Sequence, residues 1–129
     1  MKNIKFYQYI EAEPEEIYRA LTNPFTIELW SDSPAVMEAK EGTDFSLWDG
    51  DITGKNLKLV ENKEMVQEWY FEDNPEASIV TIKLHEHKNG TNLELKHVNI
   101  PDDAYENIKD GWNEYYIGAI KRFFEEELY

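Results

Sequence analysis

The spacing of bulky side chains in residues 102–129 restricts the fold more than any other feature of this sequence. Tyr105, Ile108, Trp112, Tyr116, Ile120, Phe123 and Phe124 recur at steps of three and four, and Leu128 closes the series. Such steps align side chains along one face of a helix. Lys109, Asp110, Glu114, Lys121, Arg122, Glu125 and Glu126 fall on the other side. One face is therefore solvated, and the other, built largely from aromatic rings, requires a partner. The run Glu125-Glu126-Glu127 places negative charge at the helix end where the dipole disfavours it, so the last turn is expected to fray.

The partner is a sheet. Ile4, Phe6 and Ile10 alternate with Lys5, Tyr7, Tyr9 and Glu11, the pattern of a half-buried strand. Pro14, followed by Glu15 and Glu16, opens a short helix buried through Ile17, Ala20 and Leu21. Asn23 as N-cap and Pro24 at the first helical position open a second, with Phe25, Leu29 and Trp30 as its apolar residues. Strands are predicted at 35–39, 44–48, 52–60, 64–71, 78–87 and 92–99. Turn signals separate them, including the hairpin dipeptides Asp49-Gly50 and Asn89-Gly90. Short connections make neighbours antiparallel. The expected fold is α+β: a seven-stranded antiparallel sheet in the order strand, two helices, six strands, wrapped around the long helix. With no linker or repeat, residues 1–129 read as one domain. Alternation gives the inner face as Phe45 and Leu47; Leu57 and Leu59; Met65, Gln67, Trp69 and Phe71; Val80, Ile82 and Leu84; Leu93, Leu95 and His97.

Charge and composition remove several functions. With 27 acidic against 13 basic side chains, a polyanion is repelled at long range and no basic stripe reverses this locally, which argues against nucleic acid and anionic membrane surfaces as partners. There is no cysteine, which excludes disulfides and thiolate chemistry. No apolar run is long enough to span a bilayer, and Met1-Lys2-Asn3 leads into a strand pattern rather than a signal peptide, so a cytoplasmic location is expected.

Ten residues form the candidate ligand-binding set: Phe45, Leu47, Trp48, Gln67, Trp69, Phe71, His97, Trp112, Tyr116 and Ile120. Rings with a few polar groups among them suit a concave apolar pocket, and equally suit a core that fills the space between helix and sheet. His97, on the inner face, is the one weak catalytic candidate; its competing role is a core histidine holding a neighbouring strand or helix. His85 and His87 share a strand face, and Glu94 or Lys96 across the Asn89-Gly90 hairpin would have to supply a third ligand; that face is the solvent side, so an exposed pair is expected and no metal site is assigned. Asp49 and Asp51 are explained by a turn rather than a calcium loop. Phosphate loops, serine elbows and metalloprotease signatures are absent, and no cofactor is implied.

The element order resembles the helix-grip fold of START-like (SRPBCC) domains, shared by lipid-transfer domains, the major birch pollen allergen and polyketide cyclases. Glu13-Pro14-Glu15-Glu16-Ile17-Tyr18-Arg19-Ala20-Leu21-Thr22 before Asn23-Pro24 narrows the likeness to domains related to the activator of the heat-shock-protein-90 ATPase. Trp30, Asp49-Gly50-Asp51-Ile52-Thr53-Gly54, Asn62-Lys63-Glu64-Met65-Val66-Gln67-Glu68-Trp69, Gly90-Thr91-Asn92-Leu93-Glu94-Leu95-Lys96-His97, Ile100-Pro101 and Gly111-Trp112 follow in matching order. The likeness implies the fold. For function it leaves three readings. The first is a non-catalytic binding protein holding a small hydrophobic or amphipathic ligand between helix and sheet. The second is a chaperone accessory or stress-related partner of another protein, through an apolar patch around Phe25 and Leu29. The third is a cyclase- or hydratase-type enzyme with His97 as base, assisted by Tyr116 or Asp51. The family's eukaryotic co-chaperones carry a further amino-terminal domain for which 129 residues leave no room, so ATPase stimulation through that domain is not expected.

Overall fold

A computed structural model describes residues 1–72 and 75–126. Strand β1 (Lys2–Ile10) precedes helices α1 (Pro14–Thr22) and α2 (Pro24–Ser31). Strands β2 (Asp44–Leu47), β3 (Ile52–Val60), β4 (Glu64–Tyr70), β5 (Ser78–His87) and β6 (Gly90–Ile100) follow. A 3₁₀ turn (Asp102–Ala104) then leads into α3 (Tyr105–Gly111), a π-helical turn (Trp112–Tyr116) and α4 (Ile117–Glu126). Helical backbone continues across both junctions, so the last three segments run as one long helix. Glu127 and Leu128 lie outside the described residues.

The strands form one antiparallel sheet in the order β1-β6-β5-β4-β3-β2. Six strands are present among the described residues, not seven. The segment expected at 35–39 makes a single bridge, with Val36 and Ser46 exchanging two backbone hydrogen bonds at 2.8 and 2.9 Å. Beyond Val36 the chain dives inward at Met37 and then turns, the Lys40 N–H donating to Glu38 O. A ladder cannot propagate through that turn.

The helical starts follow their sequence signals. Asn23 Oδ1 accepts from the Thr26 N–H at 3.1 Å, with Pro24 at the first helical position. The Trp30 indole N–H donates to Ala20 O at 2.8 Å and ties α2 to the end of α1. Trp112, Tyr116, Ile117 and Ile120 are buried in one cluster with Met65, Trp69, Val80, Ile82, Leu93 and Leu95 of the sheet. Each such apolar side chain removed from water contributes about 1.5–3 kcal/mol. Lys121 Nζ donates to Tyr9 O and to the Glu125 carboxylate, which also accepts the Glu11 N–H at 3.1 Å.

Two departures from simple periodicity position the site. In β3 the register with β4 slips between Asn56 and Lys58, a β-bulge. Asn56 therefore points inward and is fully buried, whereas Leu57, expected on the inner face, is exposed. Leu59 returns to the inner side opposite Met65.

The second is the π-helical turn. The Ile117 N–H donates to Trp112 O, five residues back. Such a turn widens the helix and leaves carbonyls to be satisfied otherwise; Arg122 reaches back to Glu114 O at 2.6 Å. Gly118 is needed here, since a Cβ on it would collide with Asn113 O. Gly118→Ala, which in an ordinary helix stabilises by about 1 kcal/mol, should instead destabilise this protein by about 1–3 kcal/mol. Thermal unfolding of the two proteins side by side checks the sign.

The Asn89-Gly90 pair also differs from its expected use. The turn is Lys88–Asn89, with Lys88 at φ 56°, and Gly90 already pairs with His87 as the first residue of β6. The glycine is required by close approach, because a Cβ there would stand 2.5 Å from Ile10 O of β1.

Candidate functional site

Three elements bring aromatic rings together where the long helix crosses the sheet. β4 alternates to point Gln67 and Trp69 inward; the π-helical turn presents Trp112 and Tyr116 from positions four apart; the β2–β3 turn delivers Trp48. Trp69 stacks on Trp112 at 5.0 Å, Trp112 meets Tyr116 at 4.5 Å, and Trp48 meets Tyr116 at 5.7 Å. Trp30, which the sequence reading left outside the set, completes the cluster at 5.1 Å from Tyr116 and 5.8 Å from Trp48.

Trp48 is not the last residue of a strand. It begins a turn in which Trp48, Asp49 and Gly50 all have positive φ, at 50°, 54° and 97°. A bulky residue in the left-handed region is strained by about 1–3 kcal/mol, held there by its surroundings. Here the contacts of its ring with Trp30 and Tyr116 hold it.

Two buried hydrogen-bond chains back the rings. Trp69 Nε1–H donates to Gln67 Oε1 at 3.0 Å, and Gln67 Nε2 donates to Asn56 Oδ1 at 2.8 Å. Asn56 Nδ2 in turn donates to Glu38 O and Thr43 Oγ1 in the loop before β2. The second chain fixes the state of His97. Trp112 Nε1–H can only donate, and it points at His97 Nδ1, 3.0 Å away. The neutral imidazole therefore carries its proton on Nε2, which donates to Ser78 Oγ at 2.9 Å. Burial drives the His97 pKa down from 6.5 to about 3, so the ring is neutral at physiological pH. Although Ser78 and His97 stand like a nucleophile and its base, the proton sits on the wrong nitrogen for that role, and both side chains are fully buried. Neither ring nitrogen retains a free lone pair for proton abstraction.

Beside the ring cluster, a cleft of about 430 Å³ opens between the β2–β3 turn and the helix. Trp48, Ile52, Trp69, Ile108, Trp112 and Tyr116 line it, with Asp51, Asn107 and Tyr115 as its more exposed members. The Tyr116 hydroxyl is buried without a hydrogen-bond partner among the described residues, and burial raises its pKa. A larger surface groove, about 880 Å³, runs past Glu13, Lys63, Glu64 and Lys83. It has no Trp, Tyr or Phe in its walls, and its charged groups are exposed apart from the half-buried Glu64, which pairs with Lys58.

Of the ten residues expected to bind, Trp48, Trp69, Trp112 and Tyr116 border the cleft. Gln67 and His97 stand behind, holding Trp69 and Trp112. Phe71 lies just past the end of β4, stacked on His97 at 6.4 Å. Phe45, Leu47 and Ile120 are buried core residues away from the cleft. Sequence reasoning missed Asp51, Ile52, Asn107, Ile108, Gly111 and Tyr115 as cleft residues, and Asn56 and Ser78 as links in the polar chains. His85 and His87 point outward; His85 Nε2 bonds Glu94 at 2.8 Å, and the ring of His87 meets that of Tyr9. Among the described residues no group of three or more His, Cys, Asp or Glu is placed to hold a metal, and no helix is long and apolar enough to cross a membrane.

The sequence model of the family described as "Activator of Hsp90 ATPase homolog 1-like protein" matches residues 11–125. The chain belongs to this family. Its likeness to the human Activator of 90 kDa heat shock protein ATPase homolog 1 is 36% identity over 115 residues, covering 88% of this chain and 34% of the human protein. The chain thus spans about a third of the length of that curated relative. Among solved structures, an HSP90 activator from Plasmodium falciparum superposes with a TM-score of 0.87 at 27% identity, covering 93% of this chain and 94% of that one. The Aha1 dimer from Colwellia psychrerythraea, at 22% identity, a TM-score of 0.85 and 97% coverage of both chains, shares the fold. The helix-grip arrangement of activator-of-Hsp90-ATPase-like proteins is therefore the architecture of this chain, with Trp112 and Tyr116 on the gripped face of the helix.

Proposed function

We propose that this protein is an accessory partner of a heat-shock-protein-90-type ATPase and works through its outer surface. Its kinship with the human and Plasmodium activators supports this reading, and the observation that carries it is the outer face of α2. Phe25 and Leu29, four apart, are 78% and 70% exposed, and Val36 just beyond the helix is 65% exposed. Adjacent apolar side chains left so open on a soluble domain mark a contact surface. The interior between helix and sheet is meanwhile occupied by rings in mutual contact. The purified chain should bind the heat-shock-protein-90 homologue of its own cell. Phe25→Ser with Leu29→Ser should weaken that binding about tenfold or more while leaving the melting temperature nearly unchanged, since both residues are exposed. Calorimetry showing no association of the parent chain would overturn the reading.

A second reading is favoured by the cleft itself, walled mainly by aromatic and apolar side chains: a small apolar or amphipathic molecule occupies it beside Trp48 and Trp112. In this role His97 and Gln67 hold the rings in place rather than act on the ligand.

A further inference from the structure

The walls of the cleft narrow the class of molecule it takes, provided the small-ligand reading above holds. We propose that the cleft binds a small organic cation of the alkylated-ammonium type, its methyl groups against the rings and its charge toward Asp51. The lining combines three indoles, Trp48, Trp69 and Trp112, with the phenols of Tyr115 and Tyr116; Trp48 and Tyr115 are the open rings among them, while Trp69, Trp112 and Tyr116 are stacked on one another and close the floor of the cleft. Aromatic rings attract cations through the negative potential of their faces, and indole does so best. Asp51 is the one carboxylate in the lining, and no Lys, Arg or His side chain joins it among the described residues. Its carboxylate has no ion-pair or hydrogen-bond partner among those residues, so it is available to a ligand. The formal net charge of −14 further concentrates cations near the surface and excludes anions. A neutral apolar ligand would use the same rings but leave Asp51 without a role.

Choline and 3,3-dimethylbutan-1-ol have the same shape and differ in the charged nitrogen, which makes them the probe pair. Both are titrated into the isotope-labelled protein while the indole N–H resonances of the four tryptophans are followed by NMR. Choline should shift Trp48 and Trp69 saturably and bind about tenfold more tightly than the alcohol. Asp51→Asn, a change on the exposed turn, should weaken choline about fivefold and leave the alcohol unaffected. Added salt should weaken choline alone. Equal affinity for the two probes, or an Asp51→Asn protein that keeps the parent preference, would overturn the cation assignment and leave the small-ligand reading standing. If neither probe moves these resonances, both fall together.

Discussion

Trp112→Ala should lower the unfolding free energy by about 5 kcal/mol. Truncating a buried tryptophan to alanine costs about 3–5 kcal/mol through lost transfer energy and the cavity left behind. Trp112 is 2% exposed and stacked between Trp69 and Tyr116, so little relaxation is available to close the gap. The substitution also removes the donor to His97 Nδ1, leaving a buried acceptor unsatisfied at about 1–3 kcal/mol. Against a typical total of about 5–15 kcal/mol, that is enough to unfold a marginal domain. Trp112→Phe refills most of the space and isolates the hydrogen bond, so it should cost about 1–3 kcal/mol. Denaturant titration of the three proteins separates the two contributions. A Trp112→Ala protein within 0.5 kcal/mol of the parent, about the effect of a neutral surface change, would mean that the ring does not sit in the core. Because Trp112 is a core residue as well as a cleft residue, its alanine variant is unsuitable for testing ligand binding alone.

The second large effect is on pH dependence. His97 has a folded-state pKa pushed from 6.5 to about 3 by burial. Below about pH 6.5 the unfolded chain takes up a proton at this residue that the folded chain refuses. The stability tied to neutral His97 is therefore complete above pH 6.5 and is lost as the pH falls toward 3, by about 1.4 kcal/mol per unit. Between pH 7 and pH 5 the parent should lose about 2 kcal/mol more than His97→Gln, which has no imidazole to protonate. Urea unfolding of both proteins across that range gives the answer as a difference in slope, independent of what the substitution costs at neutral pH. Parallel profiles would show that the imidazole reaches water and titrates normally.

The order of elements could be read from the sequence because each carries its own local signal. The alternation of β1, the Asn23-Pro24 helix start and the ring spacing of the last helix are all short-range patterns. What the sequence concealed depends on contacts between distant residues. From Asn56 to Leu59 polar and apolar residues alternate, which puts Leu57 and Leu59 on one face of a regular strand, so the bulge at Leu57 leaves no trace. Asn56 turns inward because Gln67, the loop carbonyl of Glu38 and Thr43 satisfy its amide. The strand expected at 35–39 has the right residue types, yet its backbone turns after Val36. The π-helical turn, by contrast, did leave a mark. Ile108, Trp112, Tyr116 and Ile120 make three successive steps of four, and on an ordinary helix each step drifts by about 40°. A wider turn between them narrows that spread, and the structure places it at Trp112–Tyr116. For the site, residue type identified the rings, but which of them border the cleft and which fill the core was fixed by the geometry of the β2–β3 turn. The orientation of Trp48 comes from positive φ at three consecutive residues, which a Trp-Asp-Gly string does not announce.

The pairing of β1 with β6 also governs when this protein can become itself. Ile10 lies opposite Thr91 and Lys2 opposite Ile100, so β1 has no ladder partner until some ninety further residues have been synthesised. At ribosomal speeds that interval is on the order of ten seconds. During it Ile4, Phe6 and Ile10 sit on an unpaired strand, open to any passing edge, and a translation pause before residue 90 would lengthen that exposure.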